Sequence, residues 1–260
     1  MGSDDLLVRR EGGILVATLN RPEKLNALSK NLYEDLRRLV DVLVTDKTCR
    51  ALVLTGIGDK AFCVGADLKE RQGMNEKDVL LRFEFVRKLF LALERLPCPV
   101  IGAINGMALG GGMELALACD LRVCVENASF ALPEVDLAII PGTGGTQRLS
   151  RLIGVAKTME FVLLAKRISA PEALALGIVN AVVPLGLALT QAKTWASKMA
   201  DSGPIAIRQA KAAILYGIEK PLEDALKFET ECYKACLYSK DRSEGLKAFA
   251  EKRKANYRGE

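Results

Sequence analysis

The stretch 99–120 constrains this chain more than any other. Pro99-Val-Ile-Gly-Ala-Ile104 is an apolar run of strand length, and Asn105-Gly106 breaks it. Gly110, Gly111 and Gly112 follow, and Met113 to Cys119 then reads as a helix. Glycines at the start of a helix let backbone approach a ligand closely, with amide N–H groups pointing outward. Such amides suit an oxygen that gains negative charge during a reaction. Glu114 falls in the first turn, among Leu115, Ala116, Leu117 and Ala118. A carboxylate there is either a dipole-favoured helix-start residue or a tuned acid/base, and the glycine turn is either a site or tight packing.

Histidine is absent from all 260 residues. That removes Ser-His-Asp and Cys-His catalysis and histidine metal ligation, leaving acid/base work to Glu, Asp, Lys, Tyr or Cys. The 7 cysteines are scattered through apolar stretches without a CxxC, which reads as reduced core thiols. A net charge of +5 fits an anionic small ligand and is too weak to imply nucleic acid. No apolar run is long enough for a membrane span, and MGSDDLLVRREGG has neither a signal-peptide core nor the composition of a presequence. The expected compartment is cytoplasmic, or the mitochondrial matrix for a chain whose presequence has been removed.

Along the chain, Ile14–Leu19 reads as a strand ended by Asn20-Arg21-Pro22. Ser29 is a plausible N-cap for a helix with Leu32, Leu36, Leu39, Val40 and Leu43 at helical spacing, with Leu28 and Tyr33 as its hydrophobic staple. Its Lys30, Arg37 and Arg38 read as a solvated basic face. Ala51–Thr55 is a strand, but the GxGxxA match at Gly56–Ala61 lacks a following helix and is not a dinucleotide fingerprint. A helix is expected from Glu76 to Leu96, then strands at 121–125, 129–132 and 178–183 and helices at 155–165 and 171–176. Ile139–Gly145 is a second glycine-rich turn before a helix, and from Leu187 the pattern is nearly all helical. The expected division is a mixed α/β region, 1–200, and a helical region, 201–260.

Five blocks together resemble the enoyl-CoA hydratase (crotonase) family: NRPEKLNAL at 20–28, AFCVGADLKE at 61–70, AINGMALGGGMELALACDLRV at 103–123, FALPEVDLAIIPGTGGTQRL at 130–149 and GLKAFAEKRKANY at 245–257. They stand in the family's order from about residue 5 to the C-terminus, closest to the short-chain enoyl-CoA hydratases and the methylglutaconyl-CoA hydratases. The resemblance implies an α/β fold, a spiral of ββα units forming two packed sheets, followed by C-terminal helices that build trimers and hexamers. It implies hydration of a 2-enoyl-CoA, with Glu114 activating water and Glu134 delivering a proton to C2. Ala66 and Gly111 match the N–H pair that receives the thioester oxygen. Lys24, Leu25, Ala27, Asp67, Leu68 and Lys69 match residues beside CoA, and Gly142 a glycine beside the catalytic water. Phe249 and Lys252 match CoA contacts made in some members across a subunit boundary. No metal or cofactor is implied, because CoA enters as part of the substrate.

The presence of both glutamates favours a hydratase over the family's isomerases and hydrolases, which commonly lack one. The methylglutaconyl group carries a lysine where this chain has Asp136. A second acid there does not assist a distal carboxylate, so a plain acyl chain is the expected substrate. A relative in that group binds AU-rich RNA through a lysine-rich helix. Here Glu34 and Asp35 interrupt the corresponding face, and nucleic acid is not an expected partner.

Overall fold

The computed structural model describes residues 4–260. The first three residues of the stretch read above for a leader lie outside the described residues. The chain runs β1 (Leu6–Glu11), β2 (Ile14–Leu19), α1 (Lys30–Thr45), β3 (Ala51–Gly56), β4 (Ala61–Cys63), α2 (Leu68–Gln72), α3 (Glu76–Glu94), β5 (Val100–Ile104), β6 (Met107–Leu109) and α4 (Gly111–Leu117). It continues with β7 (Leu121–Val125), β8 (Ser129–Ala131), a 3-10 turn (Pro133–Leu137), α5 (Gly145–Ile153), α6 (Val155–Leu163), β9 (Ile168–Ser169), α7 (Ala170–Ala175) and β10 (Ala181–Val183). Four helices finish it: α8 (Ala188–Ala200), α9 (Pro204–Gly217), α10 (Leu222–Leu237) and α11 (Lys240–Ala250).

The larger sheet has the order β1-β2-β3-β5-β7-β10 and the smaller the order β4-β6-β8-β9. Within the larger sheet β1 is antiparallel to β2, and the remaining pairs are parallel. The expected ββα repeat is present. β3 and β4, β5 and β6, and β7 and β8 each place their first strand in the larger sheet and their second in the smaller, before the chain turns into a helix. Parallel strands covered on both faces should read as continuous apolar runs. Accordingly β3 and β5 are buried at every residue, whereas β1, at the sheet edge, is mostly exposed.

Local chemistry sets the helix ends that matter. Ser29 Oγ accepts from Leu32 N at 3.1 Å, the expected N-cap of α1, and Leu28 and Tyr33 on either side are buried. Helix α4 lies so close to β4 that a Cβ on Gly112 would stand 2.0 Å from the Cys63 carbonyl oxygen. Only glycine permits that approach. At its other end, Arg122 donates to the carbonyls of Ala116 and Cys119, and its Nε to that of Ile178 at 2.6 Å. A buried guanidinium thus bonds carbonyls at the helix C-terminus, where a cation is also favoured by the dipole.

Two details depart from expectation. Strands β1 and β6 carry no place in the sequence reading. The strand expected from Ile178 begins only at Ala181, because Asn180 pairs with Arg122 in both directions at 2.8 Å and holds 178–180 as a loop in which Ile178 and Val179 are buried and Asn180 is exposed. Helix α8 packs on β3, β5 and β7, so the core of the α/β region is closed by the first of the late helices.

Candidate active site

Four loops and the start of α4 converge on one place. The first loop holds Lys24, Leu25 and Ala27. Leu25 and Asn26 sit in the left-handed region at φ 51 and 57, a conformation that costs a leucine strain. The buried Asn26 holds the turn, donating Nδ2 to the carbonyls of Ile57 and Ala61 at 3.1 and 2.8 Å and accepting from Arg21 N at 3.1 Å.

The second loop holds Ala66, Asp67, Leu68 and Lys69. It is tied to the first by a parallel bridge, Leu28 to Ala66. Arg21 completes the tie, donating to Ala27 O at 2.6 Å and to Asp67 Oδ2 at 3.0 Å. Asp67 also caps α2 by accepting from Lys69 N at 3.1 Å. These bonds outweigh partial burial and hold the Asp67 carboxyl below its ordinary range.

Gly111 opens α4 directly beside this loop. A Cβ on Gly111 would lie 3.6 Å from Ala66 N. As the first residue of α4, Gly111 has no partner for its N–H within the helix. The Leu28 bridge uses Leu28 N and Asp67 N, leaving Ala66 N out of it. Two amides thus stand side by side at a helix start.

The two glutamates have contrasting environments. Glu114 is 3 % exposed. Its Oε1 accepts from Thr143 N at 2.7 Å and Gly145 N at 2.8 Å, and its Oε2 accepts from the Thr143 hydroxyl. Glu134, on the 3-10 turn, is half-buried, and its Oε2 is enclosed without a hydrogen-bond partner among the described residues. Burial, helped by repulsion from Glu114, pushes the Glu134 carboxyl up to about 7. Two carboxyl groups whose surroundings differ this much can divide acid and base roles.

Gly142 belongs to the fourth loop, immediately before Thr143, and the Phe83 ring of α3 lies against it: a Cβ there would meet Phe83 at 2.3 Å. Asp136, on the same 3-10 turn as Glu134, is exposed. Phe249 and Lys252 are not brought to this place within the chain. Helix α11 packs on α10, Phe249 is 86 % exposed, and no hydrogen bond or ion pair of either side chain reaches the other candidates among the described residues.

Some contributors escaped the sequence reading. Arg21 and Asn26 sit inside a quoted block but act through long-range bonds. Thr143 sits beside Gly142, and only the folded loop aims its N–H and hydroxyl at Glu114. Tyr33, read as a packing residue, is buried near Cys63 and Glu114, and burial pushes its phenol up. The basic face of α1 carries its own counterions: Arg37 pairs with Asp41, Arg38 with Asp35 and Lys30 with Glu34.

A glycine-rich helix start with two neighbouring amides thus lies beside two carboxyl groups of unlike surroundings. The chain matches the enoyl-CoA hydratase/isomerase family over residues 9–260. It is similar to the crystal structure of an enoyl-CoA hydratase from Bacillus anthracis, at TM-score 0.97 and 47% identity, covering 99% of this chain and 100% of that one. It is 40% identical to the short-chain-enoyl-CoA hydratase of Clostridium acetobutylicum, over 98% of this chain and 97% of that protein. It is 42% identical to the mitochondrial methylglutaconyl-CoA hydratase of Homo sapiens, over 99% of this chain and 78% of that protein. The chain belongs to the enoyl-CoA hydratase/isomerase family. Among the described residues, no helix is long and apolar enough to cross a membrane.

Proposed function

We infer that this chain is an enoyl-CoA hydratase, adding water across the 2,3 double bond of a trans-2-enoyl-CoA to give a 3-hydroxyacyl-CoA. The observation that carries this reading is the unlike carboxyl pair beside the paired amides. Water is a poor nucleophile, so the enoyl group must be polarised toward its thioester oxygen. The Ala66 and Gly111 N–H groups are the proposed donors to that oxygen; losing one such donor typically costs ~2.7–4 kcal/mol of barrier. Glu114, held by three donors, is the proposed base that orients and activates water. Glu134, poised near neutrality, is the proposed donor to C2. Gly142 is assigned to the wall beside the water. No metal or redox cofactor enters this reaction.

Lys24, Leu25, Ala27, Asp67, Leu68 and Lys69 are assigned to the CoA moiety, because the Arg21 and Leu28 ties bring their two loops together. Phe249 and Lys252 are assigned to CoA bound by a neighbouring subunit, which accounts for their exposure here. The 201–260 region and the exposed apolar residues Leu163, Leu164, Ile214, Ile218 and Leu222 are assigned to a homotrimer or a dimer of trimers. The setting proposed is fatty acid β-oxidation or related acyl-CoA catabolism, in cytoplasm or in the mitochondrial matrix, without nucleic acid as a partner.

The test is loss of the conjugated-thioester absorbance of crotonyl-CoA, run beside 3-methylglutaconyl-CoA. Faster turnover of crotonyl-CoA supports the plain acyl reading. Preference for methylglutaconyl-CoA transfers the assignment to the dicarboxylyl hydratases, and no hydration of either substrate refutes it.

A further inference from the structure

Glu114 is oriented by two different kinds of bond. Both backbone donors, Thr143 N and Gly145 N, fall on Oε1. Among the described residues Oε2 has one donor, the Thr143 hydroxyl. The terminal torsion of glutamate is intrinsically broad and turns both oxygens together. The hydroxyl adds a further anchor against that rotation, on the opposite oxygen, and still leaves Oε2 a lone pair for a water.

Thr143 is itself held from behind. Arg148 Nη1 donates to the Thr143 carbonyl at 3.0 Å. The same guanidinium grips Glu94 at the end of α3 through Nε at 3.1 Å and Nη2 at 2.9 Å. Gly144, at φ 120, makes the turn that lets the N–H groups on both sides of it face Glu114. The line Glu94–Arg148–Thr143–Glu114 therefore runs from one helix, through a loop, to the reacting carboxylate.

We propose that Thr143 is a positioning residue of this enzyme, whose hydroxyl fixes Oε2 of Glu114 toward the attacking water. The proposal rests on the hydratase reading above. A carboxylate held in one orientation raises the fraction of bound complexes in which water is aligned for attack, and alignment of reactants is a large part of the barrier. Because Thr143 acts on the base rather than on CoA, its loss falls on turnover and not on substrate affinity.

The experiment compares Thr143→Val, which keeps the shape and the backbone N–H, with Thr143→Ser, which keeps the hydroxyl. Crotonyl-CoA hydration is measured for both, beside the parent and Glu114→Gln. Thr143→Val is expected to lower kcat about 10-fold with KM within about 2-fold, as for one lost charge-assisted bond. Thr143→Ser is expected to restore most of the rate. Added to Glu114→Gln, Thr143→Val should lower the rate little further, since both act through one carboxylate. Parent-like kcat in Thr143→Val, a change confined to KM, a Thr143→Ser variant as slow as Thr143→Val, or losses that multiply in the double variant would each overturn the proposal while leaving the hydratase reading intact. A folded Glu114→Gln protein with parent-like rate would instead overturn the reading, and the role of Thr143 with it.

Discussion

A Cβ placed on Gly110 would stand 3.2 Å from Oε1 of Glu134. The turn that carries the Gly111 amide therefore lies directly against one carboxyl group, while the helix it starts carries the other. Glu114 N, in turn, donates to the Gly110 carbonyl at 3.0 Å. One glycine thus registers both acids against the same helix start.

From this arrangement Glu114→Gln and Glu134→Gln are each expected to lower kcat for crotonyl-CoA hydration by at least ~10²-fold. Glutamine keeps size and hydrogen bonding but exchanges no proton, so CoA-thioester binding should persist. In the double variant the losses should fall well short of multiplying, because both groups act on one transition state. Steady-state kinetics on variants shown to be folded decides this. A near-parental rate in either single variant removes the two-glutamate mechanism.

The raised Glu134 carboxyl gives two pH signatures. Its folded value of about 7 lies above the ordinary value of 4.5. Between those values the folded state binds the extra proton, so stability drops as pH rises through about 7. Glu134→Gln should therefore melt higher than the parent at pH of about 8, with a difference that shrinks toward pH of about 5. In the hydration direction kcat/KM of the parent should decline above pH of about 7, as the donor form is lost. Thermal melts and pH–rate profiles check the two independently, and an equal melting difference at both pH values would contradict the burial argument.

Much of this was legible beforehand, for physical reasons that differ by element. Buried parallel strands such as β3 and β5 are unbroken apolar runs bounded by glycine, and they announce themselves. Strand β1 does not, because its Arg9, Arg10 and Glu11 face solvent at a sheet edge. Strand β6 has three residues enclosed between Asn105-Gly106 and the glycine run, where turn chemistry masks it. Ile178 and Val179 look like a strand because they are buried, but their hydrogen bonds go to Arg122 and α7. At the site, Glu114 and the glycines stood out by composition within their block. Thr143, Arg148 and Arg21 did not, since their roles come from bonds that span 29, 54 and 46 residues.

Gly112 offers a test of the packing that sets the amides. A methyl group there meets the Cys63 carbonyl oxygen at 2.0 Å, its carbon at 2.6 Å and the Cys63 Cβ at 2.9 Å. These are strand atoms, not the tip of a flexible side chain, so α4 must move off β4. Gly112→Ala is expected to lose roughly 1–3 kcal/mol of stability, or more. The displaced helix start should also lower kcat. A denaturant midpoint unchanged from the parent would show that the two elements separate easily.

Lys252 lies near the C-terminal end of the described chain. It sits at φ 54 just past α11, with its N–H on the Phe249 carbonyl at 3.2 Å. That turn places an exposed ammonium one residue before Arg253, which is already engaged with Glu244 at 2.6 and 3.0 Å and with Glu251. Lys252 has no ion-pair partner among the described residues. A cation left free beside a paired one, next to the exposed Phe249 ring, suits a phosphate-bearing ligand supplied from outside this chain. Lys252→Ala should therefore raise KM for crotonyl-CoA several-fold with kcat nearly unchanged, since a contact remote from the reacting carbons is uniform binding. The effect should weaken as salt rises and screens the exposed charge. Light scattering at micromolar concentration supplies the companion measurement: a trimeric or hexameric mass that survives the substitution keeps the lysine in the ligand site rather than in the subunit contact. An unchanged KM would return Lys252 to the solvated tail.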